Sequence, residues 1–313
     1  MTDLVRLSRK ARLWIIAAPF FWLGIFFLLP FGIVLKISFS EALLAVPPYT
    51  EILSQAADGW HLQATLANYR FLFTDNLYVL AFLNSLKIAA ISTFICLCIA
   101  YPVALGAARA SPRTRNLLLL LIVLPSWTSF LIRVYAWVGI LGTNGHLNQL
   151  LLSLGLINSP LVILRTDLAI YIGIVYTYLP FMVLPLYASL SRLDWRLVEA
   201  AADLGARPWR CLVNIVLPLS RPGIVAGCLL VFIPATGEFV IPELLGGPDT
   251  LMLGKLIWQE FFSNRDWPLA AAVSMLLLIL LLAPIAVYAR AQGPGTGAVA
   301  ATALRPGDRG GAP

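Results

Sequence analysis

Glu238 is the carboxylate that the chain carries deepest into apolar sequence, in the run Phe232-Ile-Pro-Ala-Thr-Gly-Glu-Phe-Val-Ile-Pro242. Counted along a helix from Pro222, it stands about 24 Å from the start, in the far part of a hydrocarbon core. An ionisable group at such depth is costly and ordinarily faces a bundle interior or an aqueous path. Two chemistries are open to it: a transient ligand for an ammonium group, or a structural ion pair with Arg133 or Lys87, which also fall in apolar stretches. A second constellation is built for contact rather than reaction. Arg192, Arg196, Glu199 and Asp203 recur at spacings of three and four, a charged ridge on a helix, while Leu193, Leu197, Ala200, Ala201 and Leu204 recur on another face. Asp194 can cap this helix, Gly205 stands where a left-handed residue would end it, and Pro208 suits the first turn of a second helix. Helix, glycine corner, helix makes a small rigid knob that fits a cleft on a partner.

Other reactive residue types form no constellation. Cys96, Cys98 and Cys228 lie in apolar stretches and Cys211 in a polar connection; at about 100° per residue, Cys96 and Cys98 point to nearly opposite sides of a helix, which reads as packing. His61 and His146 are isolated, and no metal-ligand spacing or nucleophile elbow occurs. Gly254-Lys255 is followed by Leu256 and lacks the upstream glycine of a phosphate loop. The chain is therefore expected to be no enzyme and to hold no metal or cofactor.

The elements that position these residues are membrane spans. Of 313 residues, 60% are hydrophobic and 12% charged, with a mean hydropathy of +0.86, whereas soluble domains are about 25% charged. Runs long enough for the roughly 20 residues of a spanning helix fall at 13–35, 77–108, 117–141, 168–190, 222–242 and 269–289. The first is too long for a signal-peptide core and is expected to remain as a helix. Arginine and lysine crowd one set of connections: Arg6, Arg9, Lys10 and Arg12; Arg109, Arg113 and Arg115; Arg192, Arg196, Arg207, Arg210 and Arg221; Arg290, Arg305 and Arg309. That bias puts both termini on the cytoplasmic side. The formal charge of +7 is thus topogenic, and nucleic acid is not an expected partner. Residues 1–290 are read as one transmembrane domain with a cytoplasmic loop at 191–221, and the Gly/Pro-rich residues 291–313 as a disordered tail. Prolines punctuate the spans at Pro19, Pro30, Pro102, Pro125, Pro180, Pro185, Pro234 and Pro284, marking possible breaks.

The loop spacing Glu199-Ala200-Ala201, three residues, Gly205, nine residues, Ile215-x-Leu217-Pro218 resembles the cytoplasmic motif of permeases in binding-protein-dependent ABC importers. Phe130-Leu-Ile-Arg-Val-Tyr-Ala-Trp137, Tyr178-Leu-Pro-Phe-Met-Val-Leu-Pro185, the run from Phe232 to Pro248 and Trp258-Gln-Glu-Phe-Phe-Ser-Asn-Arg-Asp-Trp-Pro268 are similar to the putrescine and spermidine permeases of that family. The resemblance implies an all-α fold, six transmembrane helices in a type I importer-permease (MetI-like) bundle of the bacterial inner membrane. It further implies a heterodimer with a second homologous permease, two copies of a cytosolic ATPase that hold the ATP and Mg, and a periplasmic substrate-binding protein. By that likeness Arg196, Glu199, Ala200, Ala201, Asp203, Gly205, Ala206, Pro208, Leu217 and Pro218 form or shape the ATPase-docking coupling loop.

Substrate logic rests on charge. Glu238, Glu243, Asp249, Glu260 and Asp266 face only Lys255 and Arg265 over the same stretch, so a cation approaching the fifth span meets net negative charge. Trp127, Tyr135, Tyr176 and Tyr178 can add cation–π contacts, and Trp127, Tyr135 and Tyr178 with Glu238 and Glu243 are the candidate pathway residues. A sulfate, phosphate or ferric-ion importer would share the loop, with Arg133 its candidate anion ligand; a secondary transporter would need no docking loop.

Overall fold

A computed structural model of the chain describes residues 17, 19–56, 59–248 and 250–291. The first arginine–lysine cluster, Asp249, Arg305, Arg309 and the expected tail beyond residue 291 lie outside them. The chain runs through α1 (Pro19–Ser38), a two-stranded antiparallel hairpin of β1 (Leu53–Ala56) and β2 (Gly59–Leu62), α2 (Ala67–Thr74) and α3 (Asn76–Arg109). Then come α4 (Pro112–Trp127) and a helical stretch, Phe130–Ser153, that comprises α5 (Phe130–Leu141) and α6 (His146–Ser153). After α7 (Asp167–Leu190) and α8 (Arg196–Asp203), α9 (Pro208–Leu219) leads into α10 (Arg221–Thr236). The last elements are α11 (Val240–Leu245), α12 (Leu253–Trp258), a π-helical turn at Gln259–Ser263 and α13 (Trp267–Ala291).

Four of these helices are long and apolar enough to cross a membrane, and six spans result if two bent pairs each count as one. The second, fourth and sixth spans fall within two residues of the expected bounds. The third does not run straight over 117–141: α4 meets the next helical stretch at 92°, at the segment Pro125-Ser-Trp-Thr-Ser129. The proline here is the second residue of a 3-10 turn, Leu124–Trp127, whereas Pro102, Pro180, Pro185 and Pro284 remain inside continuous helices. The fifth span also differs from expectation. It is α9 and α10 meeting at 69°, and α10 stops at Thr236, so 222–242 is not one helix. The hairpin of β1 and β2 departs from the helical pattern of the other elements among the described residues.

The chain divides into two compact units. In Met1–Leu83 with Leu253–Leu277, Asn68 Nδ2 donates to the carbonyls of Ser38 and Ser40 at 3.1 and 2.8 Å, tying α2 to the end of α1. Glu260 is buried there, accepting from Tyr78 O–H at 2.7 Å and Asn264 Nδ2 at 2.8 Å. Asp266 caps α13 by accepting from the Leu269 N–H at 2.9 Å. Burial holds its carboxyl above the ordinary carboxylate range, opposed by that hydrogen bond and reinforced by the Glu260 charge.

The other unit, Asn84–Met252 with Leu278–Pro313, is built around α7. One cluster of buried side chains joins Ile88, Val134, Ile170, Ile174, Ile241 and Leu245; a second joins Cys96, Met182, Leu186, Leu190, Val216 and Val231. Cys96 is buried and Cys98 exposed, as their spacing requires. Helix α10 lies against α7 through Gly223 and Gly227, four residues apart. A Cβ at Gly227 would stand 2.7 Å from Met182 Sδ, and one at Gly223 would collide with Ser189 Cβ. Small residues at this spacing let two helix backbones approach closely, which substitutes for the hydrophobic drive that lipid does not supply.

Candidate functional site: a capped helical corner and a clasped carboxylate

The 191–221 connection is ordered by short-range forces. Asp194 Oδ1 accepts from the Arg196 N–H at 3.1 Å and so starts α8. At the other end the Ala206 N–H reaches the Ala201 carbonyl at 3.0 Å and the Gly205 N–H reaches Ala202 at 2.8 Å, with Gly205 at φ +81°. Those two bonds and the positive φ are a Schellman closure, which satisfies carbonyls that the helix end would otherwise orphan. Pro208 opens α9, Leu217-Pro218 close it, and Ser220 at the bend shares a 3.0 Å hydrogen bond with Tyr101 of α3.

One side of α8 packs on the rest of its unit. Trp195 and Val198 pack against the second cluster, and the Arg109 guanidinium at the end of α3 stacks 5.2 Å from the centre of the Trp195 ring. Leu197 and Leu204 instead stand exposed, at 51% and 90%, beside exposed Arg196, Glu199, Ala200 and Asp203, with Ala201 and Ala206 partly covered. Helical periodicity found the ridge and the corner but did not mark Trp195, which precedes the helix and packs its ring on the second cluster.

Glu238 lies in the break between α10 and α11, not inside a helix, and is 7% exposed. Its Oε2 accepts from the Tyr178 hydroxyl at 2.5 Å and its Oε1 from the Val240 N–H at 3.1 Å. The alternative reading, an ion pair with Arg133 or Lys87, does not form. Lys87 instead faces Asp167 at 3.9 Å, and Arg133 places its guanidinium 5.9 Å from the Phe130 ring centre with a buried Nε that has no partner. Tyr178 packs against both buried clusters, which fixes the hydroxyl that meets the carboxylate. Of the five candidate pathway residues the fold brings together Tyr178 and Glu238. Glu243 is on α11 a turn beyond the break, while Trp127 and Tyr135 are 74% and 59% exposed on α4 and α5. Sequence reasoning counted Asp167 only among the outer carboxylates and singled out neither Tyr171 nor Trp195 as a site residue; an acid opening a spanning helix was the available signal for the first.

Apolar helices broken at proline and glycine, a carboxylate clasped at one break and an exposed corner between two spans are the features of a membrane permease chain. Residues 100–293 match the family described as Binding-protein-dependent transport system inner membrane component, and the chain belongs to it. Spermidine/putrescine transport system permease protein PotB of Haemophilus influenzae is 43% identical over 277 residues, 88% of this chain and 92% of that one. The protein of the same name from Escherichia coli is 46% identical over 228 residues, 73% and 82% of the two chains. Among solved structures, a bacterial alginate ABC transporter in complex with an alginate pentasaccharide-bound periplasmic protein matches with TM-score 0.68, covering 88% of this chain and 93% of that one; at 17% identity it speaks for the fold alone.

Proposed function

We propose that this permease moves polyamines, putrescine or spermidine, from a periplasmic binding protein into the cytoplasm by alternating access. It acts beside a second homologous permease and on two copies of a cytosolic ATPase, which bind and hydrolyse the ATP with Mg. Both termini lie in the cytoplasm, residues 1–290 act as the permease domain, and 191–221 is its coupling loop. The exposed face of α8 supports the docking role: Leu197, Ala200 and Leu204 offer apolar contact, Glu199 and Asp203 offer charge, and Gly205 fixes their aim. A groove that closes on this face would carry its motion to α3 through Arg109 on Trp195 and through Ser220 on Tyr101.

The observation that carries the substrate reading is Glu238, a buried carboxylate held by two neutral donors with no Lys or Arg of the described residues at ion-pair distance. A carboxylate clasped by neutral donors rather than by a fixed cation is the ligand type that suits an ammonium group. The likeness to two spermidine/putrescine permeases agrees with it. Uptake of labelled spermidine by cells that express the whole transporter, challenged with unlabelled putrescine and separately with sulfate, tests the reading. Competition by the diamine alone is expected; competition by sulfate alone would replace it with an anion importer.

A further inference from the structure

The Lys87–Asp167 pair belongs neither to the coupling corner nor to the Glu238 clasp. Lys87 stands eleven residues into α3, about 16 Å from its start, in a 34-residue helix whose length of about 50 Å exceeds a hydrocarbon core. Asp167 is the first residue of α7. Their charged atoms are 3.9 Å apart and the side chains are 56% and 49% exposed. That separation exceeds hydrogen-bond reach, so charge alone holds the pair, and exposed pairs of this kind contribute little. A lysine in a spanning helix is nevertheless expensive and ordinarily marks a pathway. So weak a partner does not account for placing it there.

Lys87 is also an alkylammonium on a four-carbon stem, the same chemical end group that an aliphatic polyamine presents. From Asp167 the helix leads on to Tyr171 and Tyr178, four and eleven residues along, which returns both to within about 40° of the same face. Tyr178 carries the hydrogen bond to Glu238. A carboxylate, an aromatic ring and an aromatic–carboxylate pair thus follow one another over about 16 Å of helix axis.

We propose that Asp167 is a binding station for an ammonium group of the cargo, and that Lys87 is a tethered amine that occupies it until cargo arrives. The proposal rests on the polyamine reading and deepens it by adding a first contact ahead of Glu238. The weakness of the pair is then functional, since a tightly held lysine would block the station.

Initial rates of labelled spermidine uptake by the whole transporter, measured across concentration for wild type, Lys87→Gln, Asp167→Asn and the double variant, test it. Lys87→Gln should lower KM by up to about fivefold, the ~1 kcal/mol ceiling of an exposed pair, with the amount of assembled complex unchanged. Asp167→Asn should raise KM, and the double variant should behave as Asp167→Asn does. An unchanged or raised KM in Lys87→Gln, or an unchanged KM in Asp167→Asn, overturns the station. So does loss of complex in both single variants with recovery in the double, which would make the pair a structural bridge. A wild-type transporter that takes up no polyamine sinks the substrate reading and the station together, whereas uptake with KM indifferent to either residue sinks the station alone.

Discussion

Gly205 offers a perturbation whose cost can be worked out from local geometry. Its φ is +81°, and a Cβ added there would meet nothing within 4 Å. The whole penalty of a side chain is therefore backbone conformation, with no clash to relax. An L-residue in this left-handed region costs about 1–2 kcal/mol, less for Asn and more for a β-branched residue. One to two kcal/mol shifts a local equilibrium by roughly five- to thirty-fold. The competing state is one in which the Ala206-to-Ala201 and Gly205-to-Ala202 bonds open and the end of α8 swings away. Stimulated ATP hydrolysis by the assembled transporter should then fall in the order Gly, Asn, Ala, Val, with Gly205→Val losing about nine-tenths or more and Gly205→Asn keeping most of it. Membrane insertion should be equal across the series, because neither buried cluster is touched. The assay is ATP hydrolysis with ligand-loaded binding protein, normalised to the permease recovered in the membrane. Full stimulation in Gly205→Val would refute the link between the corner and the ATPase.

Cysteines placed at Ser111 and Asn214 should resist membrane-impermeant thiol reagents in intact cells while one at Asn144 is labelled; all three positions are exposed, so labelling reports sidedness, and reaction at Ser111 from outside would invert the topology. Glu238→Gln keeps the shape and can keep both hydrogen bonds, since the amide oxygen accepts from Val240 and the amide nitrogen can donate to a turned Tyr178 hydroxyl. Assembly and stimulated ATPase should survive while most spermidine uptake is lost; uptake at the wild-type rate would exclude an essential charge. Asp266 binds its proton more tightly in the folded chain, so it opposes folding progressively as pH rises from the unfolded carboxyl range of about 3.9 through its raised folded value. Asp266→Asn can still accept from Leu269, and it should leave the thermal midpoint at neutral pH equal or higher and flatten its dependence on pH over that interval. A lower midpoint at neutral pH would mean that the charge is needed.

The corner at Gly205 was legible because everything that makes it acts within a few residues: an aspartate cap, a left-handed glycine and a proline in the next first turn. The partner of Glu238 was not, since Tyr178 is sixty residues away and the meeting depends on how closely α10 lies on α7. The Gly223 to Gly227 spacing carried that information without naming what would meet. Span lengths were readable from hydropathy, but bends were not. Eight span prolines look alike in sequence, yet Pro125 stands at a 92° turn and Pro102 sits within a continuous helix. Whether a proline breaks a helix depends on which tertiary neighbours take up the freed carbonyl. Lys87 illustrates the same gap, for its apolar surroundings marked it as unusual while its partner lay eighty residues on, across a connection whose path the sequence does not dictate.

The most direct test of polyamine import through an ATPase docked on 191–221 is made on the purified complex in lipid nanodiscs. ATP hydrolysis is measured with the binding protein empty, loaded with spermidine, and loaded with sulfate. Spermidine-loaded binding protein should raise hydrolysis several-fold over the empty form, and Gly205→Val should abolish the rise without dissociating the permease pair. Stimulation by sulfate alone, or a permease that purifies with no ATPase bound, would contradict the account.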